Sequence, residues 1–226
     1  MSSQARLPGL LEQGAGKLKI YSGYSYSIDE EIQALSSGIV AGPRWIKNCR
    51  REYPALPVIL DNGAFPAWFR GESLAFDDQV EAVQRAAEIA QEAGLLESII
   101  APDIVGGGPA SWKRTLRSLP YLDPFGVKLL LPLQEGIDID EAIAVANDTD
   151  SGIFIGGKSM RWKVKAAQLI DQRTYVHVGR VSRDGYLWTF SQLADAVDST
   201  TWTRSQHWNQ TINWPQILRR YTQGKK

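Results

Sequence analysis

The ten residues Leu56–Phe65, LPVILDNGAF, decide the fold. Val58, Ile59 and Leu60 make a short apolar run of the kind that forms a strand buried on both faces. The run passes straight into Asp61-Asn62-Gly63, with Phe65, Trp68 and Phe69 behind it. An Asp in that position reads two ways. It is the side chain of an Asx-type turn or a helix N-cap, or it is a functional carboxylate carried on a loop by a rigid strand.

The same layout recurs on either side. Upstream, Lys17–Tyr24 reads as a first strand after a loose lead-in over residues 1–16. Ile28–Leu35 reads as a short helix, Gly38–Gly42 as a short strand and Pro43–Tyr53 as a helix with proline in its first turn. Downstream, Phe76–Leu96 is an amphipathic helix closed by Gly94, and the strand Ile99-Ile100-Ala101 ends at Pro102-Asp103 and three glycines. Pro109–Leu119 is helical. Val127–Gly136 is a strand ending in Gln134-Glu135-Gly136, and Ile139–Asn147 is again helical. Gly152–Lys158 runs from strand into Gly156-Gly157, Met160–Asp171 is helical, and Thr174–Arg180 is a strand ending in Gly179-Arg180. A short helix is expected around Phe190–Ala194. It leads into ADAVDSTTWTRSQ (194–206), where a short strand delivers Asp198, and Ile212–Tyr221 forms a last amphipathic helix.

Strand and helix thus alternate at least five times with no linker or break in composition, the signature of a parallel α/β sheet in one domain over 1–226. Loaded positions follow nearly every strand: Asp61, Asp103, Gln134, Gly156, Gly157, Arg180 and Asp198. That distribution favours a (β/α)8 TIM-type barrel over an open sheet with one switch point. The eighth strand is not evident, so a shortened or irregular barrel is expected.

Composition narrows the function. With 25 basic and 25 acidic residues the net charge is zero, which argues against electrostatic coating of nucleic acid and leaves room for a local groove. No apolar run approaches the ~20 residues of a membrane span. The start, MSSQARLPGLLEQGAGK, has no basic region followed by an apolar core, so no secretory signal is read there. The single Cys49 leaves no internal disulfide framework and fits a reducing cytoplasm, whether that of the encoding cell or of a phage host. One Cys and two His, with His177 in a strand and His207 in a polar run, rule out a Cys-rich zinc site.

The glycine clusters fit neither the dinucleotide fingerprint nor the P-loop. GGG at 106–108 is either a phosphate cradle or a tight turn. Gly156-Gly157 has a third option, a backbone pressed against a flat ligand. Three carboxylates in one barrel mouth can ligate a divalent metal. Without metal, one can attack an anomeric carbon while another handles protons. Gln134 beside a carboxylate suits the edge of a heteroaromatic base better than a sugar.

At this point a family resemblance emerges. The segments LDNGAF (60–65), APDIVGG (101–107), LQEG (133–136), GIFIGG (152–157), VHVGRV (176–181) and VDSTTWTRS (197–205) occur in the order of the motifs of the tRNA-guanine transglycosylase superfamily. The chain resembles that family over residues 56–206, about two thirds of its length. The resemblance implies a barrel enzyme that exchanges guanine in a nucleic acid for a 7-deazaguanine such as 7-cyano-7-deazaguanine. It implies Asp198 as nucleophile and Asp61 as acid and base. Asp103, Gln134, Gly156 and Gly157 would hold the base, with Asn62, Gly63, Phe65 and Gly179 around it. Arg204 and Arg180 would meet phosphate, and Trp202, Trp68 or Phe65 would stack on bases. No metal or cofactor is required.

The chain departs from the family at Ala64 and Pro66. It also lacks the Cys-x-Cys-x-x-Cys zinc subdomain that helps dock tRNA. That loss favours the DNA-directed branch over a queuine-type tRNA enzyme, with a protein partner or self-association helping to grip the polymer. Two other readings stay open: a non-catalytic nucleic-acid-binding subunit, and an N-glycosidase that uses water as acceptor.

Overall fold

A computed structural model describes residues 18–203 and 212–222. Eight parallel strands close in sequence order: β1 (Lys19–Gly23), β2 (Gly38–Ala41), β3 (Val58–Leu60), β4 (Leu96–Ile100), β5 (Lys128–Leu133), β6 (Gly152–Ile155), β7 (Val176–Val178) and β8 (Ala196–Ser199). The barrel is complete. β8, the short strand expected to deliver Asp198, pairs with β1 in the register Tyr21 to Asp198 and closes the ring, so the barrel is not shortened. That strand, AVDS, is four residues long with a single β-branched member. Pairing on both sides holds it where propensity alone would not.

Around the strands lie α1 (Glu30–Leu35), α2 (Ile46–Glu52), α3 (Ala64–Phe69), α4 (Phe76–Glu92), α5 (Pro109–Leu122), α6 (Ile139–Asp148), α7 (Met160–Leu169), α8 (Asp184–Phe190) and α9 (Trp214–Thr222). Their starts are written locally. Asp29 and Asp138 accept N–H groups at the first turns of α1 and α6, Ser159 does so for α7, and Pro109 opens α5. One helix is displaced from expectation: 184–190 is helical, whereas 191–193 forms a turn. Leu187 and Phe190, three residues apart, are the pair that buries α8, and Gly185 near its start hides it from a propensity reading. Among the described residues no helix is long and apolar enough to cross a membrane.

Period-two alternation sorts the core into two shells. Tyr21, Val40, Ile59, Ile100, Leu130 and Ala196 fill the barrel with Phe154 and Tyr175. Their neighbours Ile20, Ile39, Leu60, Ile99, Leu131 and Val197 point outward into the helix layer. Each fully buried aliphatic side chain contributes about 1.5–3 kcal/mol relative to exposure. The same parity aims the next residues of the inward face at the C-terminal mouth. Asp61 lies two beyond Ile59, Gln134 four beyond Leu130, Gly156 two beyond Phe154, and Asp198 two beyond Ala196.

Candidate functional site

Asp198 is the most constrained residue of the mouth. It is 7% exposed. Its Oδ2 accepts from His177 Nε2 at 2.8 Å, and its Oδ1 accepts from the Arg180 backbone N–H at 3.1 Å. A carboxylate only accepts, so Nε2 carries the proton. His177 is wholly buried, with its ring between those of Tyr21 and Phe154 at 5.4 Å from each, and its Nδ1 has no hydrogen-bond partner. The imidazole therefore holds Asp198 and does not reach a substrate. Arg180 turns its N–H inward by adopting a left-handed φ of 61°, uncommon for a residue with a side chain. Behind it, the buried Lys163 of α7 donates to Gly179 O at 2.5 Å.

Asp61 makes the Asx turn and also lines the barrel mouth. Its Oδ1 accepts the Gly63 N–H at 2.7 Å, an Asx turn, while the residue stays half-buried in the mouth. Burial pushes its carboxyl above the usual carboxylate range, the charge of Asp198 adds to the rise, and the Gly63 hydrogen bond opposes it. Asp103 is raised to about 7. Burial is the main cause and the charge of Asp61 adds to it, opposed by amide hydrogen bonds and the Arg114 charge. Asp198, Asp61 and Asp103 thus form an electrostatically linked row across the mouth.

The amides expected to read a base are already engaged. Asn62 Nδ2 donates to Ala101 O at 2.7 Å and to Asp103 Oδ1 at 3.0 Å, and its Oδ1 accepts the Ala64 N–H at 2.8 Å. Gln134 Nε2 donates to Asp103 Oδ2, and its Oε1 accepts the Gly106 N–H at 2.7 Å. Both side chains are buried. They bracket Asp103 and tie down the 101–108 loop. With its first N–H captured in this way, the GGG run is a turn.

Gly157 adopts a φ of 86°, and a Cβ there would stand 2.7 Å from the Glu135 carboxylate, so the turn requires glycine. Gly156 N–H continues the ladder to Leu133 O at 2.9 Å and is not available to read a base. A Cβ on Gly179 would lie 2.4 Å from the Phe154 ring, so its smallness serves packing inside the barrel.

On the rim, α3 presents Phe65 and Trp68 with ring centres 5.7 Å apart. The Arg180 guanidinium lies 3.9 Å over Phe65 and the Lys158 ammonium 4.1 Å over Trp68. Phe69, 77% exposed, extends this face.

Trp202 corrects an expectation. It is 0% exposed, packs against Trp214 at 5.8 Å and donates from Nε1 to Ser22 Oγ at 3.1 Å, so it belongs to the core and offers no stacking face. Arg204 lies outside the described residues. Among the described residues no group of three His, Cys, Asp or Glu is arranged to hold a metal. His177 and Lys163 are the residues that sequence reasoning missed. Two hollows at the opposite end of the barrel, lined by Lys19 and Ser36 and by Lys128 and Asp150, contain none of these groups.

A scan of the chain against models of known protein families found no match, and a search of curated proteins found none.

Proposed function

We propose that this barrel mouth exchanges bases in a nucleic acid, replacing guanine with a 7-deazaguanine. One observation carries the reading: a carboxylate fixed by two donors, Asp198, faces a second carboxyl that burial disposes to hold a proton, Asp61. The target nucleotide swings out of its strand into the mouth. The donors take one lone pair on each Asp198 oxygen and leave others for attack. A carboxylate oxygen bonds to C1′ of the ribose or deoxyribose as the bond from C1′ to N9 breaks, with the electron pair leaving on guanine. Asp61 delivers its proton to the departing base. Asp61 then takes the N9 proton of the incoming 7-deazaguanine. N9 displaces the ester oxygen, restoring the Asp198 carboxylate and the glycosidic bond.

Asp103, bracketed by Asn62 and Gln134, faces the Watson–Crick edge of the base. Phe65 and Trp68, each capped by a cation, suit neighbouring unstacked bases and their phosphates. DNA is proposed over tRNA as the polymer, and the test below compares the two. Local cations at the rim answer the problem posed by zero net charge.

The test is a denaturing gel of protein incubated with guanine-containing single-stranded DNA, duplex DNA or tRNA, followed by incorporation of a labelled 7-deazaguanine. A covalent adduct that requires Asp198 is expected, strongest with DNA. Base release without incorporation would assign a hydrolytic N-glycosidase instead. No adduct and no incorporation with any polymer would overturn the reading.

A further inference from the structure

We propose that Lys163 is a positioning residue for Asp198, acting through the one peptide unit that joins Gly179 to Arg180. The carbonyl of that unit accepts from Lys163 Nζ at 2.5 Å, and its N–H donates to Asp198 Oδ1 at 3.1 Å. A cation at one end and a carboxylate at the other polarise the same peptide in the same sense, so each hydrogen bond strengthens its neighbour. Arg180 holds the left-handed φ that aims its N–H at Asp198. Loss of the ammonium frees the carbonyl to rotate and takes the N–H with it.

Lysine is almost never fully buried without a reason, and Lys163 is 1% exposed. Its placement on α7 excludes an attack on substrate, because its head group is directed at a backbone carbonyl behind the strand ends. The charged groups that act on it are Asp198 of β8 and Glu135 beyond β5, which favour the ammonium, and Arg180 beyond β7, which opposes it. Burial, joined by Arg180, outweighs the two carboxylates and brings its pKa down to about 8. The ammonium is therefore present at neutral pH and lost just above it. Between about 8 and the ordinary lysine value the unfolded chain binds the extra proton, so this group adds stability as pH rises through that window. A fall in activity there cannot arise from Lys163 unfolding the barrel.

The activity arm of this proposal rests on the base-exchange reading; the spectroscopic arm does not. In the first, the adduct-forming rates of the wild type, Lys163→Met and Lys163→Arg are measured from about pH 6.5 to about pH 9.5, with thermal melts alongside. The wild-type rate is expected to fall through a midpoint near pH 8 and to level off about tenfold lower, at the rate of the lysine-less variant. Lys163→Met should be slower by roughly tenfold at neutral pH through kcat with KM unchanged, and should lack the limb centred near pH 8, whatever limbs Asp61 and Asp103 contribute to both proteins. Lys163→Arg should keep the neutral rate without the alkaline fall. A folded Lys163→Met with the wild-type rate and the wild-type alkaline limb overturns the proposal.

In the second arm, the Lys163 side-chain NMR signal is titrated in wild type and in Asp198→Asn. The midpoint should lie near 8 and move down when the Asp198 charge is removed. Identical midpoints overturn the link between Lys163 and Asp198 even if no lysine variant folds. If the wild type forms no adduct at any pH, base exchange fails and the titration still decides the coupling.

Discussion

The two halves of the barrel mouth treat the same side chain in opposite ways. On the half built by β3, β4 and β5, burial raises both Asp61 and Asp103; Asp61 meets a backbone N–H and the charge of Asp198, and Asp103 meets neutral amides and the charge of Asp61. On the half built by β7 and β8, Asp198 is gripped by an imidazole and by a peptide N–H backed by a buried ammonium. One half raises its carboxyls by burial, and the other fixes its carboxyl with two hydrogen-bond donors. Environments that push like groups apart are how one site assigns acid and nucleophile.

The contrast breaks most visibly at Asp198. Asp198→Asn keeps the shape and removes the nucleophilic charge, and it should lower adduct formation by at least about 10³-fold, the scale of losing a nucleophile. Asp61→Asn should act next, reducing the rate roughly 10²- to 10³-fold by removing general acid catalysis. The two defects differ in kind. A base with a better leaving group should restore Asp61→Asn toward the wild type and leave Asp198→Asn inert. Equal rescue of both, or of neither, would erase the distinction between the halves.

Much of this division was legible in the sequence, and the misses have identifiable causes. Strand parity alone sends Asp61 and Asp198 into the mouth, because Ile59 and Ala196 point inward two residues earlier. The same parity, counted back from Gly179, puts His177 inside the barrel next to the strand that carries Asp198. A lone strand histidine reads more simply as core filling. Lys163 also left a trace: with Ala166, Ala167 and Ile170 it occupies positions i, i+3, i+4 and i+7 of one buried face. A lysine on an apolar stripe is a signal, though its partner, a carbonyl on another element, is not written anywhere near it. Asn62 and Gln134 were placed correctly at strand ends, but which way an amide bonds depends on loop geometry between elements 28 to 41 residues apart. Trp202 illustrates the reverse error, since composition cannot separate a stacking indole from a buried one.

His177→Phe sharpens the β7–β8 half alone. A phenyl ring preserves the packing between Tyr21 and Phe154 while deleting the Nε2 donor. A hydrogen bond to a charged group is worth roughly 1.5–3 kcal/mol, so the variant should melt several degrees lower and the adduct rate should fall about 10- to 100-fold. An unaltered rate would show that the Arg180 N–H suffices to hold Asp198. A large loss of stability with the rate preserved would make His177 a packing residue only.

The smallest effect probes the β3–β5 half through stability. Asp103 folds with its pKa raised to about 7, so between the ordinary carboxylate range and 7 the native chain holds a proton that the unfolded chain has released. Its contribution to stability is present in acid and lost as pH rises through about 7. Asp103→Asn lacks this titration. It loses hydrogen bonding as well, because Asn62 Nδ2 and Gln134 Nε2 both point donors at position 103, and that loss does not depend on pH. The variant can therefore start less stable than the wild type and must gain on it as pH rises. From about pH 5 to about pH 8 the gap should move in favour of the variant by roughly 2 kcal/mol, about 4–8 °C in melting temperature for a chain of this size. Melts of both proteins at matched ionic strength check the sign directly. A gap that stays constant with pH would mean that Asp103 is ionised throughout, and burial would then not set the β3–β5 half apart.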